Sequence, residues 1–137
     1  MQAVLLDTCA VIWINEGEPL SQVAMTMLDE AHASGVATYV SPISAWEIGL
    51  LISRDRLKPL ITPQRWFARL FEAPNVHLAD MPPELLIASS FLPGDPPRDP
   101  ADRIIAATAR DLGATLITRD RVLLDYGAQG HVKVLAC

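Results

Sequence analysis

The 137-residue sequence contains two cysteines, Cys9 and Cys137, too few for a disulfide framework and without the paired spacing of a zinc site. A reducing cytoplasm is the setting this implies. The histidines His32, His77 and His131 share no ligand spacing either, which removes zinc chemistry. The opening Met-Gln-Ala-Val-Leu-Leu-Asp has no basic residue, and Asp7 interrupts its apolar stretch well short of the ~20 residues that span a bilayer. Neither a signal peptide nor a membrane anchor is expected there. Positive charge is also short: 11 Lys and Arg face 16 Asp and Glu, for a net charge of -5. That balance argues against a general nucleic-acid coat protein, which shows a basic face. One local cluster, Arg54, Arg56, Lys58, Arg65 and Arg69, is either a solvated helix face or a phosphate-contacting arm.

What is present reads as a packed domain. Half of the residues are hydrophobic and 20% are charged, far from the composition of disorder, and the length suits one domain over 1–137. Ala3 to Leu6 is a short apolar run ending at Asp7, and the residues that follow read as a helix start. Ser21 to Ser34 carries Val23, Met27 and Leu28 at helical spacing, with Gly35 as its stop. Ala37 to Val40 is a second strand, and Ser41-Pro42 opens a helix through about Ser53 that holds Glu47 in its early turns. Thr62-Pro63 starts another helix, ending near Pro74, with Trp66, Phe67 and Leu70 on its apolar face.

Val76 to Ala79 is a third strand candidate, followed by a short helix from Glu84 to about Ser90 and a proline-rich loop. Asp99 then caps a helix that begins at Pro100, has Asp102 in its first turn, and closes at Gly113. Thr115 to Thr118 is a fourth strand leading to Asp120, and Val132 to Leu135 a fifth. Strand and helix alternate throughout. The expected fold is therefore α/β, a three-layer α/β/α sandwich around a mostly parallel five-stranded sheet.

Four acids stand out in this reading: Asp7, Glu47, Asp102 and Asp120. Each has an ordinary structural use. Asp7 could cap the first helix, Glu47 could close a capping box with Ser44, Asp102 could partner the cap Asp99, and Asp120 could cap a last short helix. Yet all four map to one edge, two at strand ends and two in first helical turns, and caps alone do not require that. In an open α/β sheet this edge is where distant residues converge. Mg²⁺ and Mn²⁺ are hard cations that prefer oxygen ligands and keep several waters, so a few carboxylates from different elements suffice. Packed together without an ion, such acids raise one another's pKa.

The motifs that carry these acids resemble a known family. Leu5-Leu6-Asp7-Thr8, Ser44-Ala45-Trp46-Glu47-Ile48, the run from Asp99-Pro100-Ala101-Asp102-Arg103-Ile104-Ile105 to Ala109, and Leu116-Ile117-Thr118-Arg119-Asp120 are similar, in order, to PIN-domain ribonucleases, specifically VapC-type toxins of type II toxin-antitoxin systems. The resemblance implies a metal-dependent endoribonuclease, with RNA, a tRNA among the candidates, as substrate and Mg²⁺ (or Mn²⁺) as cofactor. It implies that Asp7 and Asp102 are the principal ligands, Glu47 a further ligand or water-orienting base, and Asp120 a supporting ligand acting through water. Thr118 would position Asp7, and Asp99 would be a rim residue or helix cap. Such toxins often carry a lysine soon after the glutamate. Here Leu50-Leu51-Ile52 stands in its place, which passes phosphate contact to Arg54, Arg56 or Arg103. A cognate antitoxin and a homodimer are also implied, and Trp13 and Trp46 are expected to be core or dimer contacts.

Two other function classes place an aspartate at the end of the first strand. A haloacid dehalogenase-like phosphatase needs a second acid two residues on, where this chain has Cys9. A receiver-like signalling module needs paired acids there and a lysine after the last strand, whereas Lys133 falls inside it.

Overall fold

Val4–Leu6 (β1) is buried at every position and forms the middle of the sheet. In the computed structural model, which describes residues 2–137, Thr38–Val40 (β2) and Val76–Leu78 (β3) lie to one side of it. Thr115–Thr118 (β4) and Lys133–Ala136 (β5) lie to the other. The order is β3-β2-β1-β4-β5, and every pairing is parallel. Chain order reverses at β1, where Leu6 stands level with Val40 on one side and with Ile117 on the other. Such a reversal opens a crevice beyond the carboxyl ends of the strands.

Alternation along β1 divides the core in two. Val4 and Leu6 face a layer built from Thr8–Asn15 (α1), Gln22–Ala33 (α2), Pro42–Ser53 (α3) and Pro63–Ala68 (α4). Leu5 faces Pro100–Leu112 (α6) and Arg121–Ala128 (α7), which bring Ile105, Ala106, Leu123 and Tyr126 against it. Pro83–Ala88 (α5) packs on α6. The three layers expected from the alternation of elements are present, with the sheet wholly rather than mostly parallel.

Local chemistry sets the helix starts. Ser21, Ser41, Thr62, Asp99 and Asp120 each accept a hydrogen bond from a main-chain N–H of the first turn, as capping residues do. Two expectations need correction. The helix after Thr62 does not run on to Pro74: it tightens to a 3₁₀ turn over Arg69–Glu72, and Ala73 is extended because the following proline disfavours helical backbone. Glu47 is not in a first turn and closes no capping box with Ser44. Ser41 is the cap and Pro42 the first helical residue, which puts Glu47 in the second turn.

Candidate functional site

Asp7 leaves β1 at the reversal point, its N–H bonded to the Ile117 carbonyl at 3.0 Å. Its side chain is 5% exposed and does two things at once. Oδ1 accepts from the Thr8 N–H at 2.7 Å, capping α1, while Oδ2 accepts from the Thr118 hydroxyl at 2.6 Å and from the Cys9 thiol at 3.5 Å. Thr118 is fully buried, and its hydroxyl oxygen also accepts the Asp120 N–H at 3.0 Å. One hydroxyl thus ties the acid after β1 to the acid after β4. Asp120 in turn caps α7 through Leu123.

Glu47 comes from the opposite side. Thr8 donates its hydroxyl to Glu47 Oε1 at 2.5 Å and, its own proton so committed, accepts from Ser44 at 2.9 Å. Asp102 is the third residue of α6, whose cap Asp99 accepts from the N–H groups of Ala101 and Asp102 at 2.8 and 3.3 Å. Asp7, Glu47, Asp102 and Asp120 line one open cleft of about 350 Å³, together with Thr8, Cys9, Ile12, Leu51 and Arg119. Asp99 is the helix cap and does not line it.

Crowding shows in the acidities. Burial, and then the charges of Asp120, Asp7, Asp99 and Glu47, push the Asp102 carboxyl up to about 7. Burial likewise raises Asp7 against the hydrogen bonds of Thr118, Thr8 and Cys9, and raises Glu47 against the bond from Thr8. Burial and the Asp7 charge lift the Cys9 thiol to about 12, so Cys9 serves as a neutral donor to Asp7, not as a nucleophile. A divalent cation would relieve this repulsion. Among the described residues, no three His, Cys, Asp or Glu side chains form a ready-made ligand cage. An ion here would be held by a few carboxylates and complete its shell with water, the ordinary habit of Mg²⁺.

The arginines named from sequence are not brought to this cleft. Arg54 is the C-cap of α3, about 10 Å along the helix axis from Glu47 at ~1.5 Å per residue, and Arg56 lies beyond it. Arg103 turns its guanidinium to the Ser89 carbonyl at 3.5 Å. Arg119 lines the cleft instead. It sits inside the Thr-Arg-Asp motif, between the buried Thr118 and the helix cap Asp120. Trp13 is no simple core residue, since it carries the Arg119 guanidinium 3.3 Å above its ring, and Trp46 is 58% exposed.

A PIN domain family model matches residues 4–129. Ribonuclease VapC22 of Mycobacterium tuberculosis (strain ATCC 25618 / H37Rv) is 35% identical over 127 residues, covering 92% of this chain and 93% of that protein. In fold, the chain is similar to VapBC2 from Rickettsia felis, crystallised bound to a DNA fragment from their promoter. The TM-score is 0.69 at 15% identity, with 98% of each chain covered. It is also similar to DNA-bound VapBC from Salmonella typhimurium, with a TM-score of 0.62 at 18% identity over 99% of this chain and 98% of that one.

Proposed function

The chain belongs to the PIN-domain family, among its VapC-type members, and from that premise we propose that it is a metal-dependent endoribonuclease acting as the toxin of a toxin-antitoxin pair. The observation that carries this reading is the shared cleft: Asp7, Glu47, Asp102 and Asp120 meet there, with Asp7 and Asp120 joined through Thr118.

Asp7 and Asp102 would hold Mg²⁺, or Mn²⁺ in its place, with Asp120 supporting through water. The donor set fits, being carboxylate oxygens in a crowded pocket where three of the acids are shifted upward. When bound, such an ion acidifies a coordinated water and offsets charge on the departing oxygen of a phosphodiester. The protein's own contribution is positioning. Thr118 fixes the rotation of Asp7 by bonding Oδ2, and Thr8 engages only Oε1 of Glu47, leaving Oε2 to orient a water or accept its proton. Burial raises the pKa of Glu47, which suits that exchange.

RNA is the substrate this reading names, with tRNA as the class to test first, and growth arrest the consequence. A cognate antitoxin is supported by fold neighbours crystallised as VapBC assemblies, and a homodimer is proposed from the family resemblance. No helix of the described residues is long and apolar enough to cross a membrane, in keeping with a cytoplasmic site of action. The phosphatase reading loses ground at Cys9, which stands where it needs an acid and donates to Asp7, and the receiver reading at Lys133, which lies within β5 and not after it. The test is RNA cleavage by purified protein with Mg²⁺, abolished by chelation and by Asp7→Asn. Intact RNA in every condition, with no growth arrest on expression, would refute the proposal.

A further inference from the structure

Any nucleic acid that enters the cleft brings phosphate charge toward four acids, in a protein whose net charge is -5. Some fixed positive group has to meet it. Among the described residues that line the cleft, Arg119 is the cation, and the chain holds it in an unusual way. Its main-chain N–H rests on Cys9 Sγ at 3.5 Å. One helical turn further along α1, Trp13 lies under its guanidinium, 3.3 Å from ring centre to the guanidinium carbon. Nη2 donates to the main-chain oxygen of Cys137 at 2.7 Å. Neither the indole ring nor this main-chain oxygen belongs to an acid of the cleft, so the guanidinium is positioned without being paired to the carboxylates it stands beside.

We propose that Arg119, clamped between the Trp13 ring and the Cys137 main chain at the mouth of the acidic cleft, holds a backbone phosphate of the RNA substrate. The inference rests on the ribonuclease reading and deepens it, assigning substrate contact to a residue other than Arg54, Arg56 and Arg103. The chemistry fits in three respects. A guanidinium has five N–H donors, one of which Cys137 takes, and the rest present the planar fork that matches a phosphate. Stacking on an indole face retains the charge while removing rotamer freedom, so little more is lost when the ligand arrives. Exposure of Arg119 leaves the outer face of the guanidinium open to a phosphate or to the base beside it. Trp13 is therefore a positioning residue, acting on RNA through Arg119.

The experiment is titration of a short fluorescein-labelled single-stranded RNA against the full chain in Ca²⁺, followed by anisotropy at several salt concentrations, with intactness checked on a gel. Arg119→Ala should weaken binding about tenfold and lower the slope of log affinity against log salt by about 0.7, the share of one phosphate on a single strand. Arg119→Lys should keep the slope and lose affinity, because the charge remains and the fork does not. Trp13→Leu should weaken binding a few-fold with the slope retained. Lys133→Ala, at the opposite edge of the sheet, serves as the control. Mn²⁺ binding, read by electron paramagnetic resonance, should be unchanged in all of these.

An unchanged slope and affinity in Arg119→Ala, with wild-type protein binding RNA normally, would overturn the assignment and leave the ribonuclease reading standing. Arg119 would then be only a strap on the end of β5, visible as lowered thermal stability. A wild-type protein that binds no RNA would refute both.

Discussion

Thr118 donates its hydroxyl to Asp7 Oδ2 at 2.6 Å, across 111 residues of sequence. The same oxygen receives the Asp120 N–H, so a single buried side chain sets the relative placement of two acids from different strands. Its removal should be felt at the cleft before it is felt in the fold. Thr118→Val keeps the shape of the side chain and deletes both bonds. It should cut Mg²⁺-dependent cleavage at least tenfold and cost about 1–3 kcal/mol, the usual penalty for unpaired buried polar groups. Thr118→Ser should retain most activity. Equal activity in Thr118→Val and wild type, by initial rates, would contradict this account.

The metal-free protein should lose stability as pH rises. Asp102 titrates at about 7 in the folded protein, against an ordinary 3.8, and Asp7 and Glu47 are shifted the same way. The folded state therefore binds protons that the unfolded chain has released. Their stabilising contribution is complete below the unfolded values and disappears as pH climbs through the folded ones. Thermal melts in chelator should show Tm falling between about pH 4 and pH 8 from these groups, and Mg²⁺ should restore it at the upper end. A flat profile, with and without Mg²⁺, would count against the clustered acids.

Asp102→Asn separates function from stability. Removing this charge relieves first the cost of its burial and then repulsion from Asp120, Asp7, Asp99 and Glu47, so the metal-free variant should melt higher than wild type at pH 8. The gain is on the order of 1–2 kcal/mol once the partial solvent exposure of Asp102 is allowed for. Cleavage should be lost in the same variant. A variant that is both inactive and less stable would indicate that Asp102 serves the fold.

Gly127 offers a control far from chemistry. A Cβ there would collide with the Val134 side chain of β5, because α7 packs directly on that strand. Gly127→Ala should cost about 1–3 kcal/mol by overpacking, measured by urea denaturation, while residual folded protein keeps its Mg²⁺ affinity.

Much of the site could be read from sequence because its residues obey local rules. Asp7 ends an apolar run, Asp102 follows a cap and a proline, and Asp120 follows a β-strand and starts a helix. Backbone geometry and chemistry coincide at each. Glu47 was harder. Its place in the second turn of α3 depends on which of Ser41 and Ser44 caps the helix, and Pro42 decides that by fixing where helical backbone begins. Arg119 was not legible as a cleft residue, because its orientation comes from Trp13 and Cys137, partners that local pattern does not connect. The change to a 3₁₀ turn after Ala68 was obscured for a related reason: the apolar spacing of Trp66 and Leu70 continues through the turn although the α-helix does not.

The most direct test is a crystal of the protein soaked in Mn²⁺ and measured at the manganese edge. An anomalous peak in the cleft, within bonding distance of Asp7 and Asp102 and lost in Asp102→Asn, is the result predicted. A cleft without manganese at concentrations that support RNA cleavage, or a peak bonded to neither acid, would contradict it.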